Sequence, residues 1–115
     1  MSHRIDILPT AGRLKVTFGG VVVADTQHAL TLLEEGHGPV QYIPRADAVM
    51  EHFIRTPHHT TCPHKGEASY YSLRADGTEA ENAVWTYETP FEPVSSIAGH
   101  LAFYPDRVSI EIEPA

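Results

Sequence analysis

Leu14-Lys15-Val16-Thr17-Phe18-Gly19-Gly20-Val21-Val22-Val23-Ala24 alternates apolar and polar residues up to Phe18, breaks at two glycines and resumes as an apolar run. Tight two-residue turns between antiparallel strands need positive φ at the tip, which glycine adopts without steric cost. The stretch therefore predicts a β-hairpin, and the rest of the chain repeats the theme. Ala68–Leu73 and Ala83–Tyr87 read as antiparallel partners joined through Asp76-Gly77. His100–Tyr104 and the alternating Val108–Ile112 read as two more strands, with Asp106-Arg107 turning between them. Residues 28–34 fit either a strand or a short helix, with strand preferred, and Val40–Ile43 is a strand stopped by Pro44. Val94–Ile97 has the length of one helical turn.

Asp47–Ile54 has the one helical pattern. Asp47 is a suitable N-cap, Val49, Met50, Phe53 and Ile54 share a face at helical spacing, and Pro57 closes the segment. The expected architecture is α+β, mainly β: a compact antiparallel sheet built of hairpins, with one short helix near residues 47–54. The 115 residues suit a single domain spanning 1–115.

Net charge is −7, and the eight Lys and Arg residues are scattered. Phosphate-backbone binding needs clustered cations, so no nucleic-acid partner is expected. The start, Met1-Ser2-His3-Arg4, lacks an apolar signal region, and no apolar run approaches a membrane span. A cytoplasmic protein without a membrane partner is expected.

Thr60-Thr61-Cys62-Pro63-His64-Lys65-Gly66 concentrates the chain's chemistry. It holds the only cysteine, one of two lysines and two glycine or proline turn-formers. A thiol attacks as thiolate, and a neighbouring cation lowers its pKa, so Cys62 beside His64 and Lys65 is a candidate nucleophile. The competing reading is an inert, buried cysteine. Lys65-Gly66 offers a point charge beside an approachable backbone, suited to a carboxylate or phosphate, yet no phosphate-binding loop motif is present. His58, His59, Cys62 and His64 raise a metal reading. Adjacent histidines point apart and no second cysteine completes a tetrahedral set, so no metal and no cofactor are expected. Trp85 and Tyr87 lie two apart on one strand face and, with Tyr42 and Tyr70, could wall a cleft for a planar ligand. Glu34 is a weaker acid/base candidate. No paired carboxylates of the kind that hold Mg²⁺ for nucleotidyl transfer occur beside the motif.

Val23-Ala24-Asp25, Tyr42-Ile43-Pro44, Cys62-Pro63-His64-Lys65-Gly66, Ala68-Ser69-Tyr70, Ala83-Val84-Trp85-Thr86-Tyr87 and Ala102-Phe103-Tyr104 together resemble the family called domain of unknown function 427, over roughly residues 13 to 112. The resemblance implies a β-rich fold of the β-tent kind, with bacterial and fungal members, and no established activity. The family is sometimes labelled nucleotidyltransferase-like. His64 departs from the family, which usually has an aromatic residue there. The four-cysteine zinc site of β-tent relatives is excluded by the single cysteine. Carried over as the family pocket are Tyr42, Cys62, Lys65, Gly66, Tyr70, Trp85 and Tyr87, with Glu34 at its margin.

Three functions follow as expectations. The first is a protein binding a small, anionic molecule, with Cys62 and Lys65 as candidate catalytic residues and the question of enzyme activity open. The second is a non-catalytic interaction module or homodimer using its aromatic sheet face. The third is a nucleotidyltransferase.

Overall fold

The computed structural model describes residues 3–114. The hairpin of the opening stretch is present as β2 (Arg13–Phe18) and β3 (Val21–Thr26). Phe18 faces Val21 across the tip, and Gly19 and Gly20 take φ of +58° and +81°. Strand β1 (Ile5–Pro9) pairs with β4 (Leu30–Glu34), which pairs with β5 (Val40–Tyr42). A longer sheet runs β6 (Phe53–Cys62), β7 (Gly66–Ala75), β8 (Thr78–Thr86), β9 (Leu101–Phe103), all antiparallel. The last strand, β10 (Ser109–Glu113), follows the Asp106-Arg107 turn but does not fold back on β9. It crosses to the free edge of β2.

Just beyond β5, Ile43 exchanges both backbone hydrogen bonds with Leu101, each 2.8 Å. This bridge carries β1-β4-β5 onto the four-stranded sheet. Successive residues therefore serve opposite faces, as the strand period of two requires. Ile43, Tyr71, Val84 and Phe103 enter one core, packed against Leu14, Val16 and Phe18 of β2. Their neighbours Tyr42, Tyr70 and Ala102 enter a second core with Leu32, Tyr87, Val94 and Ile97. Val94 and Ile97 belong to a 3-10 segment, Glu92–Ile97, in the place where one helical turn is expected.

The amphipathic helix expected over 47–54 is not formed. Two 3-10 turns, Arg45–Asp47 and Met50–His52, occupy most of it, and Phe53 and Ile54 already belong to β6. Neighbouring strands recruit the segment: Ala48 bridges Ala24, Val49 N donates to Val23 O at 2.8 Å, and Phe53 pairs with Leu73. The Asp47 carboxylate accepts from the Thr26 hydroxyl at 2.7 Å and caps no helix.

His58–Cys62 is the end of β6. Only Pro63-His64-Lys65 forms the turn, with Cys62 opposite Gly66. β6 lies at the sheet margin, where Pro57 lacks an N–H and the register shifts between Arg55 and His59. Both features blunt an edge against pairing with another chain. Among the described residues, no helix is long and apolar enough to cross a membrane.

Candidate functional site

One end of the second core collects residues from five strands and a turn. Glu34 ends β4, Tyr42 ends β5, Cys62 ends β6, Lys65 lies in the turn, Tyr70 is on β7, Trp85 is on β8 and Tyr87 follows it. Tyr70 and Trp85 are direct cross-strand partners. Tyr42, Tyr70 and Tyr87 are buried in the core, with Cys62 and Trp85 packed at its margin. The Trp85 indole N–H donates to the Tyr42 hydroxyl at 3.3 Å, the two rings meeting edge to face at 6.5 Å.

Lys65 is the polar centre. Its ammonium donates to Glu34 Oε1 at 2.6 Å, and each side chain is only 10 % exposed. The other oxygen of Glu34 pairs with His3 Nε2 at 2.8 Å. The His3 ring stacks on His64, with centroids 3.9 Å apart and planes 11° from parallel. His64 thus braces the rim of the site. A backbone bond from Phe91 N to Lys65 O, 3.0 Å, ties the turn to the 3-10 segment.

Burial pushes the Glu34 carboxyl up. Hydrogen bonds from Lys65 and His3, with the fields of Lys65 and His37, outweigh this and hold it below its ordinary value of 4.5. Because the folded value is the lower one, Glu34 contributes stability that is fully present above 4.5. That contribution is lost as pH falls through the folded value. Glu34→Gln should therefore show a flatter acid limb in denaturant midpoints measured against pH. An acid limb as steep as that of the unaltered protein would show that Glu34 is not a linked group.

The tyrosines behave differently. Burial foremost, with Glu34, Cys62 and Tyr70 nearby, pushes the Tyr42 phenol up to about 12 against the opposing bond from Trp85. Burial, then Tyr42, Cys62, Tyr70 and Glu34, raise Tyr87 further. Both are protonated donors at neutral pH. Tyr87 is 6 % exposed, and among the described residues its hydroxyl has no hydrogen-bond partner. The one described side-chain polar atom both fully enclosed and unpartnered is Thr86 Oγ1. A concavity of about 450 Å³ lined by Arg4, Asp6, Leu33, Glu34 and Glu35 approaches Glu34 from the β1–β4 side.

Farther out, the Tyr70 hydroxyl joins Thr60 Oγ1 at 2.9 Å and the Tyr104 hydroxyl at 3.4 Å, and Tyr104 lies against Trp85 with centroids 4.6 Å apart. Burial, then Tyr70, pushes Tyr104 up to about 12.

The structure thus gathers Glu34, Tyr42, Cys62, Lys65, Gly66, Tyr70, Trp85 and Tyr87 into one neighbourhood. Beside Cys62, the Lys65 ammonium donates to Glu34 and the His64 ring stacks on His3. His58 faces Tyr70 while His59 lies 3.8 Å from Glu67 on the other side of the strand. Among the described residues, no group of three or more His, Cys, Asp or Glu is placed to hold a metal. His3, Thr60 and Tyr104 were not assigned to the site by sequence. His3 joins by a contact 31 positions away that spacing does not encode, while Tyr104 carried the signal of an aromatic ending a predicted strand.

No curated protein matches the chain. The family described as Domain of unknown function (DUF427) matches residues 6–114, a span that takes in every site residue except His3. The chain belongs to the DUF427 family.

Proposed function

We propose that the protein binds a small anionic molecule at the junction of the β6–β7 turn with β4 and β8. Lys65 anchors the anionic group, and Tyr42, Tyr70, Trp85 and Tyr87 wall the body of the ligand. Cys62 lies at the margin as wall or nucleophile. The supporting observation is the nearly enclosed Lys65–Glu34 pair, with His3 on the other oxygen of Glu34. Burying an ion pair seldom stabilises a fold over apolar packing, whereas perturbed, partly unsatisfied polar groups cluster at functional sites. The aromatic face is occupied by its own contacts, Trp85 with Tyr42 and Tyr104, which favours this reading over self-association through that face.

The single cysteine permits a test without a known ligand. Alkylation rates of Cys62 with iodoacetate and with iodoacetamide are compared as a ratio, in the unaltered protein and in the double variant Glu34→Gln/Lys65→Met. The pair is neutral overall in both proteins, so a difference in ratio reports the ammonium itself. The ratio is expected to fall about tenfold in the double variant, the low end of electrostatic focusing in clefts. Equal ratios would remove Lys65 as an anion anchor.

A further inference from the structure

We infer that the concavity where β6 and β8 bulge over β7 is a second binding site, and that it takes a sugar whose ring hydroxyls are held by Asn82 and Glu81. None of the residues that line it belongs to the anion site proposed above.

Two bulges, on the strands that flank β7, build the concavity. Arg55 pairs with Tyr71 and His59 with Ser69, so Thr56, Pro57 and His58 all stand opposite Tyr70. On the other flank Tyr71 pairs with Val84 and Leu73 with Ala80, so Glu81, Asn82 and Ala83 stand opposite Ser72. Tyr70 and Ser72 lie two apart and serve one face of the sheet. Bulges re-aim side chains. These two turn Thr56, Pro57, His58, Glu81 and Asn82 onto a shared space of about 410 Å³, a size that suits a small molecule.

Asn82 is fixed in this space from both its backbone and its side chain. Its φ of +49° is left-handed, a conformation that asparagine adopts more readily than most residues with a Cβ. Its backbone N–H donates to Oγ of the buried Ser72 at 3.0 Å. Across β7, the Thr56 hydroxyl donates to Asn82 Oδ1 at 2.6 Å. Thr56 Oγ1 itself accepts from His58 N at 3.3 Å, so its one hydrogen is committed to Asn82. The two hydrogens on Asn82 Nδ2 have no acceptor among the described residues. Glu81, next to it on the bulge, is exposed and forms no ion pair among the described residues. The concavity therefore sets a fixed donor beside a free acceptor. An ammonium only donates and would oppose Asn82, while an ionised carboxylate or phosphate only accepts and would oppose Glu81. A hydroxyl does both. Neighbouring hydroxyls of a sugar ring accept from Asn82 and donate to Glu81, and the C–H face of the ring lies on Pro57 and on the His58 imidazole. That imidazole is set edge-on to Tyr70, with centroids 4.5 Å apart.

The test is an NMR titration of the isotopically labelled full chain, read at the side-chain amide signals of Asn82. Methyl α-glucoside, methyl α-mannoside and methyl α-galactoside, which differ only in the direction of ring hydroxyls, are each added to about 100 mM, enough to fill a site with a Kd of about 10 mM. At least one is expected to shift both amide hydrogens to saturation. Asn82→Asp tolerates the left-handed backbone and removes the donor, so it is expected to weaken that sugar about tenfold, read at the Glu81 backbone amide. Glu81→Ala, at an exposed position, is expected to weaken it by a similar factor and decides the matter if Asn82→Asp fails to fold. Methylammonium, acetate and acetamide are titrated in the same way. Shifts that grow linearly and equally with all three sugars, or an affinity unchanged in the folded variants, overturn the site. Saturation by methylammonium, acetate or acetamide without saturation by any sugar overturns the ligand class.

Discussion

Lys65→Met is expected to destabilise the protein by about 3 kcal/mol, and adding Glu34→Gln to restore most of the loss. The single substitution strands an ionised carboxylate in a site where its side chain is 10 % exposed, with His3 as its remaining partner. Breaking a pair this enclosed exposes the desolvation cost that the pair had been offsetting. Removing both charges together restores a neutral, similarly shaped site. Urea denaturation reads the difference as a midpoint shift of about 1 to 2 M for a chain of this size. The solvent-facing pairs set the contrast. Arg4 with Asp6 and Arg74 with Glu79 are mostly open to water, and cutting either is expected to cost under about 1 kcal/mol. A Lys65→Met cost in that smaller range would show that water screens the central pair and would remove its burial as a mark of function.

Gly66→Ala is the second large effect, about 2 kcal/mol, and it arises in the backbone. Gly66 has φ of +116°, a region that residues with a Cβ rarely adopt. The added carbon itself would find room: its nearest neighbours, Pro90 Cα, Phe91 N and Thr89 O, lie 3.6 to 3.7 Å away, ordinary contact distances. The strain must therefore be relieved by moving the turn, and the turn carries Lys65. The expected result is a lower denaturation midpoint together with a reduced iodoacetate preference at Cys62. Gly38→Ala is the matched control, since a Cβ there meets nothing within 4 Å and no left-handed φ is required. Equal midpoints for the two variants would show that the turn accommodates a side chain freely.

The parts legible in the sequence are those fixed by neighbours along the chain. The Gly19-Gly20 and Asp76-Gly77 tips announce themselves because the positive φ values they take are a local requirement. Trp85 and Tyr87 fall on one face because strand period alone puts them there. The 47–54 segment misleads because its apolar spacing satisfies a helix in isolation, while Val23, Ala24 and Leu73 offer backbone and side-chain partners only after the sheets form. The stretch Thr56–Cys62 conceals its strand because a solvent-facing edge needs no apolar alternation. In the site, the aromatic wall and Lys65 are visible from residue type. What Lys65 touches is not: Glu34 lies 31 positions away, and only the meeting of β4 with the β6–β7 turn brings them together.

The pairing of β10 with β2 has a consequence for biogenesis. Leu14, Val16 and Phe18 are core residues on a strand whose outer neighbour is Ser109–Glu113. While the ribosome is still making the middle of the protein, β2 and β3 can close as a hairpin, but one flank of β2 stays bare until residue 109 and those after it have been synthesised. Pairing over so long a separation is slow, and an uncovered strand flank is a template for association. The nascent chain therefore passes through a window in which the flank of its β2–β3 hairpin is open to association, and chaperones that shield strand edges would act there.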